Sequence, residues 1–401
     1  MNRIGTILIP LESNRAIGIL LGLIFFFPLV GFAATRIEIV FLAIEQKIPA
    51  ALSNLDPVVP DEGISGARLG IRDNNTTGQF TGQNFELTII ETPDLDSAVA
   101  AYQKQIAAGS NLFVTRLPQE AIRRIARIPD SEKSLILDIS TMDDQLRTGL
   151  CRPGILYMRP SRAMRADALA QYMLKKKWRK WILIVGPMFE DRLYADAVRR
   201  AAKRYGMMLV QEHQWETMHD SRRTAQSEVP VLTQGSDYDV VVVADEQGLF
   251  GEYLPYRTWL PRPVIGSQGL IATAWDRSHE QWGAVQLQNR FKDSAHRWMR
   301  EIDYVAWLAI RVVGEAATRT GSAEAEALIP YVRGPDFSIA GFKGEKLSFR
   351  RWNGQLRQPV LLAWAKSLVA VAPLEGFLHP KNQLDSLGYD ESEVSCGDRL
   401  K

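Results

Sequence analysis

The chain has 401 residues, 46% of them hydrophobic, and its 48 Lys and Arg residues nearly balance its 46 Asp and Glu residues. A formal net charge of +2 excludes the strongly basic surface that a nucleic acid or an anionic membrane would require, so neither is expected as a partner. Because single hydrophobic cores stop growing at about 250 to 300 residues, a chain of this length is expected to divide into two lobes.

The first 33 residues have the pattern of a secretory signal peptide. Arg3 and Arg15 precede an apolar run over residues 16–30, and Gly31 and Ala33 are the small residues that a signal peptidase reads. We predict cleavage after Ala33 and a periplasmic chain without a lipid anchor, because no Cys lies near the cut. The alternative is an uncleaved membrane anchor, but the run is shorter than the roughly 20 apolar residues of a spanning helix and contains Pro28.

Short apolar runs predict the strands of the fold. Runs that are apolar on both faces are typical of parallel strands covered on both sides. They comprise residues 37–42, 85–90, 112–115, 134–139, 155–158, 181–185, 208–211, 240–244 and 264–266.

Helical patterns fall between these runs. Leu95, Val99, Tyr102 and Ile106 share one helical face after Thr92-Pro93, a residue pair that predicts a cap and a first-turn proline. A second helical pattern follows Pro160-Ser161, and a third precedes Tyr205-Gly206. Alternating strands and helices predict an α/β fold with right-handed crossovers.

Residues 285–375 depart from this alternation. A long helix is predicted from residue 298 to about residue 320. Residues 342–349 and 359–365 then predict a strand pair that turns at Trp352-Asn353-Gly354. Such a late excursion indicates that the chain crosses between the lobes again.

Cys151 and Cys396 are the two cysteines of the sequence. In an oxidising compartment, two cysteines of an exported chain are expected to form a disulfide. This disulfide would tie the C-terminal tail to the body of the protein. The alternative is a pair of unbonded, buried thiols.

Several motifs, in this order and spacing, resemble those of a known family. They are Tyr194-Ala195-Asp196, residues 264–270, Asp303-Tyr304-Val305-Ala306, Phe342-Lys343-Gly344 and Trp352-Asn353-Gly354. The sequence thereby resembles the periplasmic solute-binding proteins of ABC importers, in the leucine/isoleucine/valine-binding class with type I topology. Residues 73–78, 143–147, 151–152 and 160–164 are similar to the branch associated with PQQ-dependent alcohol dehydrogenase systems.

The resemblance implies a fold and a function. It implies two Rossmann-like lobes joined by three crossing strands, with the ligand in the cleft between them. The first lobe would comprise residues 35–157 and 271–334, the second residues 158–270 and 335–373, and the tail residues 374–401. The protein would be a monomer without cofactor or catalytic activity that closes on a small molecule and delivers it to a membrane permease.

The resemblance also implies where a ligand would bind. Members that bind amino acids hold the ligand carboxylate with hydroxyls and amides of two loops, which match Arg116-Leu117-Pro118 and Ser140-Thr141-Met142 here. Met142 stands where a Thr is expected. The acid that meets the ligand ammonium is replaced by Gln268, and a neutral amide cannot offset a buried ammonium. A zwitterionic amino acid is therefore a poor candidate ligand.

Further residues complete the predicted site. Tyr194 matches a tyrosine that packs on the ligand in the family, and Asp245 and Glu246 follow a predicted strand at another loop of the cleft. The expected ligand-binding residues are Arg116, Ser140, Thr141, Met142, Tyr194, Asp245, Glu246 and Gln268.

Two other classes of function remain open from the sequence. Ser161, Asp191 and His213 could be combined into a hydrolase set, but the sequence has no Gly-x-Ser-x-Gly motif, and its scattered His residues fit no metal-binding template. A periplasmic ligand-sensing subunit that reports to a membrane sensor kinase would have the same fold as a transport component. The sequence does not distinguish these two roles.

Overall fold

The computed structural model describes residues 35–46, 59–150, 152–215, 225–235 and 237–395. The predicted signal peptide, Cys151 and Cys396 lie outside these residues, so the cleavage and the disulfide stay predictions. Within the described ranges, no helix has both the length and the apolar character needed to cross a membrane.

The elements alternate along the chain as predicted. In chain order, the strands of the described residues are β1 (Thr35–Ile44), β2 (Gln83–Thr92), β3 (Leu112–Arg116), β4 (Leu135–Asp138), β5 (Ile155–Tyr157), β6 (Lys180–Val185), β7 (Met208–Gln214), β8 (Val240–Ala244), β9 (Val264–Gly266), β10 (Leu270–Thr273), β11 (Ile339–Ala340), β12 (Lys346–Phe349), β13 (Leu356–Arg357), β14 (Val360–Trp364) and β15 (Ser367–Ala372). The α-helices are α1 (Ile64–Thr81), α2 (Leu95–Ala107), α3 (Gln119–Ile125), α4 (Asp144–Gly149), α5 (Arg162–Lys175), α6 (Phe189–Tyr205), α7 (Ala225–Leu232), α8 (Leu254–Arg257), α9 (Ala284–Ala295), α10 (Glu301–Thr320) and α11 (Ala325–Arg333). The apolar runs predicted as strands correspond to β1 through β9.

The first lobe is built on a five-stranded parallel sheet in the order β2-β1-β3-β4-β5. One face packs against α1, α9, α10 and α11, and the other packs against α2 and α3. Because both faces are covered, β3, β4 and β5 are buried over their whole length, whereas most residues of the edge strand β2 are only partly buried.

The second lobe is built on a seven-stranded sheet in the order β15-β14-β10-β9-β8-β6-β7. Strands β6 to β10 are parallel, whereas β14 is antiparallel to both β10 and β15. Helices α5 and α6 cover one face, and residues of α7 and α8 pack on the other. Each lobe is therefore a sheet between two layers of helices.

The chain passes between the two lobes three times. It leaves the first lobe after β5, returns after β10, and leaves again after β13. Trp275 already packs in the first core, and so do Phe337, Leu347 and Leu356. The third passage thus follows β13, so residues 335–357 pack with the first lobe and not with the second as the resemblance implied, and β10 belongs to the second sheet.

Two local predictions differ from the structure. The Thr92 hydroxyl bonds to the Ala43 carbonyl oxygen at 3.1 Å, so Thr92 stays in β2, and Asp94 instead caps α2 by accepting from the Ser97 amide at 2.8 Å. The predicted pairing of residues 342–349 with residues 359–365 is wrong. Strand β12 pairs with β11 and β13, while β14 pairs within the second sheet because its residues are buried on both faces.

Candidate functional site

Two adjoining cavities lie in the cleft between the lobes. The larger has a volume of about 680 Å³ and the smaller about 460 Å³, and Met142 and Glu246 line both. Both cavities are bounded by residues from both lobes, as a cleft that closes on a ligand requires. Their sizes match sites for small molecules.

The smaller cavity lies beyond the carboxyl ends of β1, β3 and β4, which is where α/β folds bind ligands. Arg116, Ser140 and Thr141 line it, together with Arg162 and Glu190 from the second lobe. The hydrogen bonds of these side chains decide what they can offer to a ligand.

Neither predicted hydroxyl has its proton free for a ligand. Ser140 Oγ donates to the Leu117 carbonyl oxygen at 2.7 Å and accepts from the Leu117 amide at 2.9 Å. The Thr141 hydroxyl donates to Asp138, whose carboxylate is fully buried at the end of β4. Burial raises the pKa of Asp138, although its hydrogen bond from Thr141 opposes the shift. These hydroxyls fix the loops after β3 and β4.

Arg116 is also engaged by the protein. Its guanidinium donates to the Glu62 carbonyl oxygen at 2.8 Å and to Glu91 Oε1 at 3.0 Å. The side chain is 6% exposed, and its Nε is buried without a hydrogen-bond partner. Arg116 thereby joins the loop before α1 to the end of β2.

Glu246 is neutralised within the second lobe. Arg162 donates to both of its carboxylate oxygens at 2.7 Å, and the Glu246 amide donates to Asp191 Oδ1 at 2.8 Å. Such a bidentate pair is strong and directional. The carboxylate that could have met a ligand ammonium is therefore already paired.

Asp245 and Gln268 line neither cavity. Asp245 is fully buried and accepts from the amides of Leu249, Phe250 and Gly251 at 2.7 to 2.9 Å, so it organises the loop after β8. Gln268 packs against Gly251 instead of facing the cleft.

The hydrolase set is not assembled either. Ser161 accepts from the Met164 amide as the cap of α5, and Asp191 accepts from the amides of Met188 and Glu246. His213 lies on β7 with its Nε2 buried and without a partner. Among the described residues, no group of His, Cys, Asp and Glu side chains could hold a metal ion.

The larger cavity contains a charged cluster that the sequence analysis missed. Glu301, the first residue of α10, pairs with Arg159 at 2.6 Å and with Arg165 of α5, and it accepts from the Ala274 amide at 2.6 Å. Burial would raise the pKa of Glu301, but the two guanidiniums hold it well below its usual range. This cluster joins the first and second passages between the lobes.

A signal for this cluster is present in the sequence. Arg159, Arg162 and Arg165 recur every third residue around Pro160-Ser161, so Arg162 and Arg165 are neighbours on one face of a helix that starts there, and Arg159 lies just before it. Their acceptors, Glu246 and Glu301, lie far away in the chain and could not be paired with them from one sequence.

Tyr194, expected from the resemblance to pack on a ligand, lines the larger cavity. Its side chain is buried, and its hydroxyl makes no hydrogen bond with the residues that the structure describes. Burial raises the pKa of Tyr194 above its ordinary range, so the hydroxyl stays protonated. From the first lobe, Trp275 forms part of the opposite wall and stacks on Tyr304 with ring centroids 4.4 Å apart.

No protein-family model matches this chain, and no curated protein sequence matches it. Solved structures do. The ABC transporter substrate-binding protein of Sphaerobacter thermophilus superposes on this chain with a TM-score of 0.70 at 14% identity. The aligned region covers 84% of this chain and 98% of the Sphaerobacter protein.

Two further solved structures have the same architecture. The leucine-, isoleucine-, valine-, threonine- and alanine-binding protein of Brucella ovis, in its closed conformation, has a TM-score of 0.67 at 15% identity and covers 90% of this chain and 97% of its own. A solute-binding protein of an ABC transporter from Rhodopseudomonas palustris, in complex with 3,4-dihydroxybenzoic acid, has a TM-score of 0.63 at 13% identity. The aligned region covers 84% of this chain and 94% of the Rhodopseudomonas protein. The predicted type I periplasmic binding protein fold is thereby confirmed; at these identities the likeness concerns the fold alone.

Proposed function

We propose that this chain is the periplasmic substrate-binding component of an ABC importer. The observation that supports this role is the cleft, because both of its cavities are lined from both lobes. A ligand that contacts both lobes stabilises the closed form, which a permease can distinguish from the open form. A cleaved signal peptide would export the chain, and a membrane permease would be its partner.

The ligand is a small molecule other than a zwitterionic amino acid. The hydroxyls of Ser140 and Thr141 are committed to the protein, so they cannot donate to a ligand carboxylate. The charge of Glu246 is offset by Arg162, so an ammonium at this position would have no carboxylate of its own. The smaller cavity therefore offers neither free hydroxyls for the carboxylate of an amino acid nor a free carboxylate for its ammonium group.

Binding without chemistry is the activity that these contacts favour. The link to PQQ-dependent alcohol oxidation rests on the resemblance of short motifs, and it directs the choice of ligands toward alcohols, aldehydes and organic acids. No contact of the described residues favours the sensor-kinase role over transport.

A ligand screen tests the proposed function. We expect alcohols, aldehydes or organic acids to raise the melting temperature of the purified protein, because a ligand that binds the folded state stabilises it. Leucine and valine should leave the melting temperature unchanged. Tight calorimetric binding of leucine or valine would contradict the ligand assignment, and turnover of any compound in the screen would contradict the binding role. Co-purification with a permease, as opposed to a sensor kinase, checks the partner.

A further inference from the structure

Some polar groups that line the larger cavity have no hydrogen-bond partner among the residues that the structure describes. We propose that the ligand occupies this cavity, that it bears hydroxyl groups and no ammonium group, and that Glu62 accepts a hydrogen bond from one of those hydroxyls. This inference rests on the proposed function and names the ligand class of the same cleft.

Glu62 places an unpaired carboxylate on the wall of the larger cavity, and its backbone is held in position. Its carbonyl oxygen accepts from Arg116 at 2.8 Å, and the next amide, that of Gly63, donates to Asp303 Oδ1 at 2.8 Å, so the loop before α1 is held on both sides. The half-buried side chain makes no hydrogen bond or ion pair with the residues that the structure describes. A half-buried carboxylate without a donor is an acceptor for a ligand group.

The environment of Glu62 favours a neutral donor. Burial, and to a smaller extent Asp303, raise the pKa of Glu62 above its ordinary value, so its ionised form is less favoured than in water. The cavity is lined by five arginines and four acidic residues, so it lacks the excess of negative charge that would favour an ammonium group over a neutral donor. A hydroxyl donates to the carboxylate without bringing a positive charge among these guanidiniums.

The second lobe supplies a matching polar group. The Tyr194 hydroxyl has no partner among the described residues and can both donate to and accept from a ligand hydroxyl. Trp275 provides a flat wall, and its Nε1 is buried without a hydrogen-bond partner. A compact molecule with more than one hydroxyl could therefore bond to Glu62 and Tyr194 together and hold the lobes closed.

Paired probes test the inference on the complete exported protein. Benzyl alcohol, 4-hydroxybenzyl alcohol, catechol and butane-2,3-diol would each be titrated by calorimetry, with benzylamine, 4-hydroxybenzylamine and leucine as the charged counterparts. We expect at least one hydroxyl probe to bind and the amines to bind at least tenfold more weakly. Glu62→Gln and Tyr194→Phe should each weaken the hydroxyl probe about tenfold, since a hydrogen bond to a charged or buried group is lost.

Glu326→Gln is the matched control. Glu326 is an exposed carboxylate on α11 that lines neither cavity, so its replacement should change the affinity less than twofold. The melting temperatures of the unliganded variants check that each one is folded.

The outcomes separate this inference from the proposed function. Binding of an amine or of leucine, or equal losses of affinity in the Glu62 and Glu326 variants, would overturn the inference and leave the role in ligand binding intact. Absence of binding by every hydroxyl probe would also overturn it. Absence of binding by alcohols, aldehydes, organic acids, amines and amino acids alike would overturn both.

Discussion

The pKa of the Lys343 ammonium depends strongly on the groups that surround it. It is 4% exposed, and its ammonium donates to Gln358 Oε1 at 2.7 Å and to the Pro359 carbonyl oxygen at 3.0 Å. Gln358 in turn donates to the Met158 carbonyl oxygen at 2.6 Å, which links the third passage between the lobes to the first. Because no carboxylate of the described residues pairs with this ammonium, burial lowers the pKa of Lys343 to about 7.

We predict a pH-dependent stability that disappears in Lys343→Met. The unfolded chain binds more protons than the native protein between pH 7 and the ordinary pKa of Lys, so the free energy of unfolding should rise with pH in that interval. The gain between pH 7 and pH 9 should be about 2 kcal/mol. Urea unfolding at pH 7, 8 and 9 measures it.

The exposed residue Lys133 provides the control. In Lys133→Met, the free energy of unfolding should rise with pH as it does in the unsubstituted protein, because this side chain is largely in solvent. A Lys343→Met protein that still gains stability between pH 7 and pH 9 would show that another group titrates.

At the scale of residues, the sequence indicated some lining positions and missed the pairing of charges. Met142, Tyr194 and Glu246 line the larger cavity, and Tyr194 could be proposed for the cleft because its motif is local. Glu301 could not, since its role depends on Arg159, which is 142 residues away in the chain. Gln268 was misplaced because the sequence does not reveal which way a loop side chain turns after its strand.

At the scale of elements, two helices meet at glycine positions. Helix α1 packs against α10 so closely that a Cβ atom on Gly66 would lie 1.9 Å from the Asp303 carbonyl oxygen. A Cβ atom on Gly70 would lie 2.7 Å from Ile310 Cβ. These contacts involve the backbone or a β-branched side chain, so neither can move aside easily.

Gly66→Ala should therefore be strongly destabilising. The added methyl must push α10 away from α1, and overpacking of this kind costs about 3 kcal/mol. Denaturant unfolding measures the loss. Gly149→Ala is the control, because a Cβ atom there would meet nothing within 4 Å, and it should change the stability by less than about 0.5 kcal/mol. Equal free energies of unfolding of the two variants would mean that α1 and α10 can move apart without loss of stability.

Elements were predictable where hydrophobic patterns are local. Runs such as residues 181–185 are buried on both faces and became β6, and Ser161 caps α5 as its position suggested. Strand β15 was missed because its residues alternate between exposed and partly buried positions at the edge of the second sheet. The partner of β14 was missed because strand pairing is decided by tertiary packing and not by turn residues alone.

At the scale of the whole molecule, the C-terminal tail is held against the body of the protein. Arg350 and Asp385, both nearly fully buried, form an ion pair at 2.9 Å. Further along, Glu393 pairs with Arg200 of α6 at 3.0 Å, and the Ser395 hydroxyl donates to the Thr148 carbonyl oxygen at 2.8 Å. The tail therefore contacts the second lobe and, at its described end, α4 of the first.

The contact between Ser395 and Thr148 supports the predicted disulfide. Cys396 follows Ser395 in the chain, and Cys151 lies three residues after Thr148. We expect intact-mass analysis of the non-reduced protein after alkylation to find no free thiol. The bond should stabilise the protein by about 4 to 5 kcal/mol in the chain-entropy model. Cys151→Ser, Cys396→Ser and the double variant should then be equally destabilised, whereas two alkylated thiols in the unchanged protein would rule the bond out.

The layering of the first lobe sets an order of assembly. Phe41, Val114 and Leu137 on the five-stranded sheet are covered by α9, α10 and α11, which come after the parallel strands of the second lobe in the chain. A polypeptide halted at the end of β10 would have only α1 to cover that face of the sheet. The lobe that emerges first from the ribosome is thus completed only after the parallel strands of the second lobe, and the second lobe in turn waits for β14 and β15, so neither lobe is complete until almost the entire polypeptide is available.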